Sequence, residues 1–169
     1  MGTLPEPITR LPRTIRFDAS DERVFERAAA AGEWAVSGAF AFAGADPAAI
    51  TGKARQAFRS GFLGTASFGW STFVAIAEIT PEELARVTEA LVAHLCSMYG
   101  APSHEAARAA AEEELRFAAG LCTHKVNTLL AVEREFGPDG IVERYRTVER
   151  GQNAPHARIW TVVADDEVR

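Results

Sequence analysis

The chain has 169 residues, 47% hydrophobic and 24% charged, a composition that fits one globular domain with a full core and excludes disorder over most of the length. Its formal net charge of −5 comes from interspersed acids and bases, so neither nucleic acid nor an anionic membrane surface is an expected partner. No apolar run reaches the roughly 18 residues of a membrane span, and the two cysteines, Cys96 and Cys122, fall in helical patterns as small apolar residues of a reducing compartment, so the cytoplasm is the expected location.

Residues 1–12 carry Pro5, Pro7 and Pro12 but no apolar run. They read as an extended arm on the domain or on a partner, not as a signal peptide. A single α+β domain is expected over 13–164, with 165–169 as a solvated tail. A short strand is expected at 14–17. Ser20 then caps a helix over 21–30 that buries Val24, Phe25 and Ala28 and ends at Gly32. From 34 to 43, Trp34, Val36, Gly38, Phe40 and Phe42 alternate with small residues. Period two without charge predicts a central strand.

Asp46-Pro47 is a helix start, with Ile50, Ala54, Ala57 and Phe58 as its stripe and Gly61 and Gly64 at its close. An apolar strand is expected over 68–79. Thr80-Pro81-Glu82-Glu83 is a capping box with proline at the first helical position. The helix it opens aligns Leu84, Val87, Leu91, Leu95 and Met98 on one face. Gly100-Ala101-Pro102 breaks it, and Ser103 caps an alanine-rich helix to Leu121. So short a connection predicts an antiparallel helical hairpin. Strands over 126–136 and 141–149 flank a Gly137-Pro138-Asp139-Gly140 turn, and a last strand covers 157–163. The expected fold class is α+β: a mixed β-sheet with helices mainly on one face, a central helical hairpin and a C-terminal antiparallel meander.

The candidate chemistry is sparse. His94 and Cys96 are two apart on a helix and point about 200° apart, so they cannot share an ion. Glu113 and His124 are eleven apart and return to within about 20° if the helix continues that far. With Cys122 they form the best metal or ligand set, of residue types that suit zinc. Against it, Cys122 continues the stripe of Ala111, Leu115 and Ala118, and His124 near a helix C-terminus needs no metal. Cys122 and His124 as a catalytic thiol pair lack a nucleophile elbow and an orienting third group.

Glu114 falls near the apolar face and needs a partner, for which Arg86 and Arg108 are candidates, or a raised pKa. The glycines of the 61–69 loop lead from a helix into a strand. Phosphate loops lead from a strand into a helix, so this reads as a helix end and a turn. Trp34, Phe40, Phe42, Phe68 and Trp70 read as a packed sheet face, with an apolar ligand pocket or a partner surface as the other possibility. In the C-terminal hairpin, Arg134, Arg144, Arg146, Arg150 and Arg158 among Glu133, Glu135, Glu143 and Glu149 read as cross-strand pairs or a protein-docking face.

Two stretches, residues 13–42 with Gly32-Glu33-Trp34-Ala35-Val36-Ser37-Gly38, and 59–72 with Ser60-Gly61-Phe62-Leu63-Gly64-Thr65, resemble a small bacterial family of unknown function. The resemblance implies no reaction, cofactor or catalytic residue. The expected function is therefore a non-enzymatic accessory or partner-binding protein of the bacterial cytoplasm, with a protein partner or homo-oligomer. The competing expectation is a metal- or small-ligand-binding protein, or an enzyme, with its site near Glu113, Cys122 and His124.

Overall fold

The computed structural model describes residues 6–16, 20–150 and 160–163. The fold is α+β, with two sheets. Strands β1 (Arg10–Thr14), β5 (Phe73–Glu78), β6 (Leu129–Gly137), β7 (Gly140–Arg150) and β8 (Trp160–Val163) form a five-stranded sheet in the order β1-β5-β6-β7-β8. Strands β2 (Ala35–Val36), β3 (Phe62–Gly64) and β4 (Trp70–Ser71) form a three-stranded one. Helices α1 (Ser20–Val24) and α2 (Gly52–Ser60) precede β2 and β3, and α3 (Pro81–Met98) and α4 (His104–Gly120) connect β5 to β6.

The larger sheet was expected to be mixed, but every strand pair is antiparallel. The reason lies in the helical hairpin. One helix after β5 would carry the chain across the sheet and make the next strand parallel. Two antiparallel helices return it to the end it left, so β6 runs back along β5.

The proline-bearing segment joins this sheet from Arg10 onward. Ladder bonds run from Ile79 N to Thr9 O at 3.0 Å and from Ile15 N to Phe73 O at 3.3 Å. Odd positions therefore face β5, and the missing N–H of Pro12 falls on the outer side, where an edge strand tolerates it. The strand expected at 14–17 lies earlier, at Arg10–Thr14. Residues 1–5, 17–19, 151–159 and 164–169, and with them the rest of the arm, Phe17, Arg158 and the acidic tail, lie outside the described residues.

Four elements are shorter than the sequence pattern suggests. The helix expected from Asp46-Pro47 forms only a 3₁₀ turn at Pro47–Ala49, where Asp46 accepts Ala48 N, and α2 begins afresh at Gly52, whose φ of 60° is not helical. The strand expected over 34–43 stops at Val36. Gly38 turns the chain at φ 86°, and a Cβ there would lie 2.8 Å from Leu63 and from the Trp70 ring. Residues Ala39–Phe42 then form a 3₁₀ turn. The helix expected over 21–30 ends at Val24 because its downstream backbone is bound elsewhere. Thr14 Oγ1 donates to Ala30 O at 2.6 Å, Arg16 to Ala29 O at 2.5 Å, and Trp70 N to Arg27 O at 2.9 Å. The strand expected over 68–79 is cut into β4 and β5 at Thr72, which is held by the buried Asp21.

The main core joins Leu11, Val36 and Leu63 to Leu91 and Leu95 of α3 and to Ala111 and Leu115 of α4. Alanines on the buried face of α4 let the helix approach closely, and the capping box that starts α3 is formed. A second cluster packs Phe62, Val74, Ile76, Leu130 and Val132 around Cys122. Strand β5 pairs with β6 only at Leu129–Ala131, so the rest of β6 is left to α2, which packs along it.

Candidate functional site

The C-terminal end of α3 leaves the core. Val87, Leu91, Val92 and Leu95 are buried, but Met98, three residues further along the expected stripe, is 67% exposed and the adjacent Tyr99 is 44% exposed. The stripe simply outruns the surface it packs on. Behind this tip stands a train of rings. Phe40 meets Tyr99 edge-on at 5.3 Å, His94 meets Tyr99 at 5.4 Å, and Phe68 stacks on His94 at 3.7 Å. Burial, with the Arg27 charge adding to it, lowers the His94 pKa. The imidazole is therefore neutral at pH 7 and stacks as a flat apolar ring. Burial likewise raises the Tyr99 hydroxyl. The tip is thus an apolar projection in which Tyr99 is held by neighbouring rings beside the exposed Met98.

The Phe68 end of that train is fixed by the glycine-bearing 61–69 loop. Phe68 lies at φ 56°, an uncommon conformation for a residue with a ring. Glu33 holds the loop. Its carboxylate accepts Ala66 N at 3.0 Å, Ser67 N at 2.9 Å, the Ser67 hydroxyl at 2.7 Å and Ala30 N at 2.7 Å. Burial works to raise the Glu33 pKa, but these donors outweigh it and the net shift is downward. The amides a phosphate would need are already given to an internal carboxylate. Gly64 is required here because a Cβ would run into that carboxylate, and Gly69 because a Cβ would lie 2.6 Å from the Ala28 backbone.

A second polar cluster lies under the β6–β7 hairpin. Arg134 is 1% exposed. It donates to Glu143 at 2.7 Å, to Phe58 O at 2.8 Å and to Ser37 O, while the Ser37 hydroxyl donates to Glu143 at 2.6 Å. This one guanidinium ties α2, the β2 end and the hairpin together. Glu114 of α4 faces the same cluster. Burial, then the charges of Glu143 and Glu113, push its carboxyl up to about 7, with Arg134 opposing them. The partners suggested by the sequence are not its partners, since Arg108 pairs with Glu89 on α3. Burial and the Glu143 charge also raise the Tyr145 hydroxyl far above its ordinary range. On the opposite face of the hairpin, Arg144 pairs with Glu135 at 2.9 Å and Arg146 with Glu133 at 3.2 Å.

Glu113, Cys122 and His124 are not brought together. Helix α4 ends at Gly120, so the eleven-residue spacing no longer aligns Glu113 with His124. Glu113 is exposed. Cys122 is buried in the second cluster, its thiol donating to Ala118 O at 3.6 Å and pushed up to about 12 by burial. The His124 carbonyl accepts Arg10 at 2.9 Å. Among the described residues no three His, Cys, Asp or Glu side chains are placed to share a metal ion, and no helix is long and apolar enough to cross a membrane.

A family model described as a family of unknown function (DUF6505) matches residues 9–164. No curated protein matches the chain, and no solved structure does.

Proposed function

We propose that this chain, which belongs to that family of unknown function, is a non-enzymatic accessory protein of the bacterial cytoplasm that binds another protein through the Met98–Tyr99 tip. The exposed pair, with Tyr99 held by the Phe40 and His94 rings and His94 in turn by Phe68, is the observation that carries the reading. Methionine and tyrosine are enriched where proteins dock. Methionine adapts to irregular apolar surfaces, and a tyrosine held by neighbouring rings loses little entropy on binding. Two internal networks support a binding role over a catalytic one. Glu33 and Arg134, which carry buried charge, are saturated by the chain's own donors and acceptors. The partner supplies an aliphatic or aromatic anchor to pack against the tip.

The test is a photocrosslinking amino acid placed at position 99 of the full chain in its host, with position 105 on the exposed start of α4 as control. The reading expects one discrete adduct of a second protein at 99 and none at 105. The same faint ladder from both positions would overturn it. An adduct made only of this chain would replace the foreign partner by self-association.

A further inference from the structure

We propose that the cleft between α2 and β6 is a binding site for a small organic anion, a carboxylate or phosphate ester with a flat apolar body. The cleft encloses about 550 Å³, within the ~300–1,000 Å³ of small-molecule sites. One wall is apolar. Ile50 and the half-buried Phe136 form it, and Phe136 is held in place by the buried Phe58 ring stacked on it at 4.3 Å with an interplanar angle of 8°. The other wall is charged, and the pairing of its charges is the informative part. Arg134 is taken by Glu143 and the Phe58 carbonyl, Arg144 by Glu135, and Glu133 by Arg146.

Two cations remain. Arg55 and Arg59 line the cleft, and neither side chain makes a hydrogen bond or ion pair with any described residue. Four apart on α2, they occupy one face of the helix, where like charges repel. An anion between them removes that repulsion and takes the planar, forked donors that guanidinium offers to carboxylate and phosphate. The acids lining the cleft do not supply that anion, because both are committed to Arg144 and Arg146. A flat body attached to the anion covers the Ile50–Phe136 wall, so charge and apolar surface select the same molecule.

Two-dimensional amide NMR on the full chain tests this with phenyl phosphate and benzoate as probes, and phenol and inorganic phosphate as their uncharged and body-free halves. Saturable shifts confined to residues 50–59 and 133–136 are expected from at least one aromatic anion. Whichever of the two binds more tightly identifies the headgroup. Phenol and inorganic phosphate are expected to bind about tenfold more weakly or less. Arg55→Ala with Arg59→Ala should lower affinity about ten- to a hundredfold, while Arg108→Ala leaves it unchanged. The proposal is overturned if neither aromatic anion moves the cleft amides at millimolar concentration. It is equally overturned if phenol binds as well as benzoate, or if the double variant keeps its affinity. The comparison among probes on the unaltered chain decides the matter even if the double variant folds poorly.

Discussion

Arg134 is the residue whose environment constrains it most. A guanidinium buried to this depth survives only if its charge and all its donors are met, and it meets a carboxylate and the carbonyls of Phe58 and Ser37 together. Arg134→Ala should therefore destabilise the chain by about 3–5 kcal/mol in chemical denaturation, because Glu143 is left buried and unpaired. Replacing both members by apolar residues should recover only part of that loss, since the carbonyls of α2 and Ser37 still lose their donor. Full recovery in Arg134→Met with Glu143→Leu would show that the carbonyl contacts contribute nothing. Glu114 gives the pH dependence. Its folded-state carboxyl titrates at about 7 against an ordinary 4.5. The folded form thus holds the proton more tightly. The stability this confers is complete below the ordinary value and is lost as pH rises through 7. Glu114→Gln, a neutral stand-in, should match the parent near pH 4 and exceed it by about 1–3 kcal/mol at pH 8. A difference that does not change with pH would place Glu114 in water. The need for a partner or a raised pKa was legible from the position of Glu114 on an apolar stripe. The identity of its neighbours was not, because Arg134 and Glu143 come from strands far along the chain.

At the scale of elements, features set by neighbouring residues are legible in the sequence. The capping box of α3 involves residues within four positions of one another, and the structure forms it with Glu83 N to Thr80 Oγ1 at 3.1 Å and Thr80 N to Glu83 Oε1 at 2.9 Å. Thr80→Ala should cost about 1 kcal/mol, read from the denaturation midpoint at unchanged slope. No loss would mean that α3 is held by packing alone. Patterns that long-range contacts override are not legible. The alternation from Trp34 to Phe42 resembles a strand, yet Gly38 must turn because Leu63 and Trp70 fill the space a Cβ would need. The helix from Ser20 stops early because Thr14 and Arg16 take the carbonyls of Ala30 and Ala29. Met98 fits the helical stripe by spacing but lies past the edge of the surface that α3 covers. This is why helical spacing alone places the tip, the best candidate for binding, in the core.

For the whole molecule, the class was legible and the strand directions were not. Helices between strands suggested crossovers, but a paired hairpin of helices carries the chain across the sheet and back, so the next strand runs antiparallel. The chain's buried charges are largely met internally, while its projecting apolar surface at the end of α3 is not. That imbalance is the basis for reading it as a protein that binds. Native mass spectrometry of the untagged chain, isolated from its own host beside a Met98→Glu, Tyr99→Ala variant, tests this most directly. The account predicts masses above the 18.2 kDa chain that resolve into this chain plus a second protein, and their loss in the variant while the melting temperature stays within a few degrees. A bare chain in both samples, or a complex that the variant keeps intact, would contradict it.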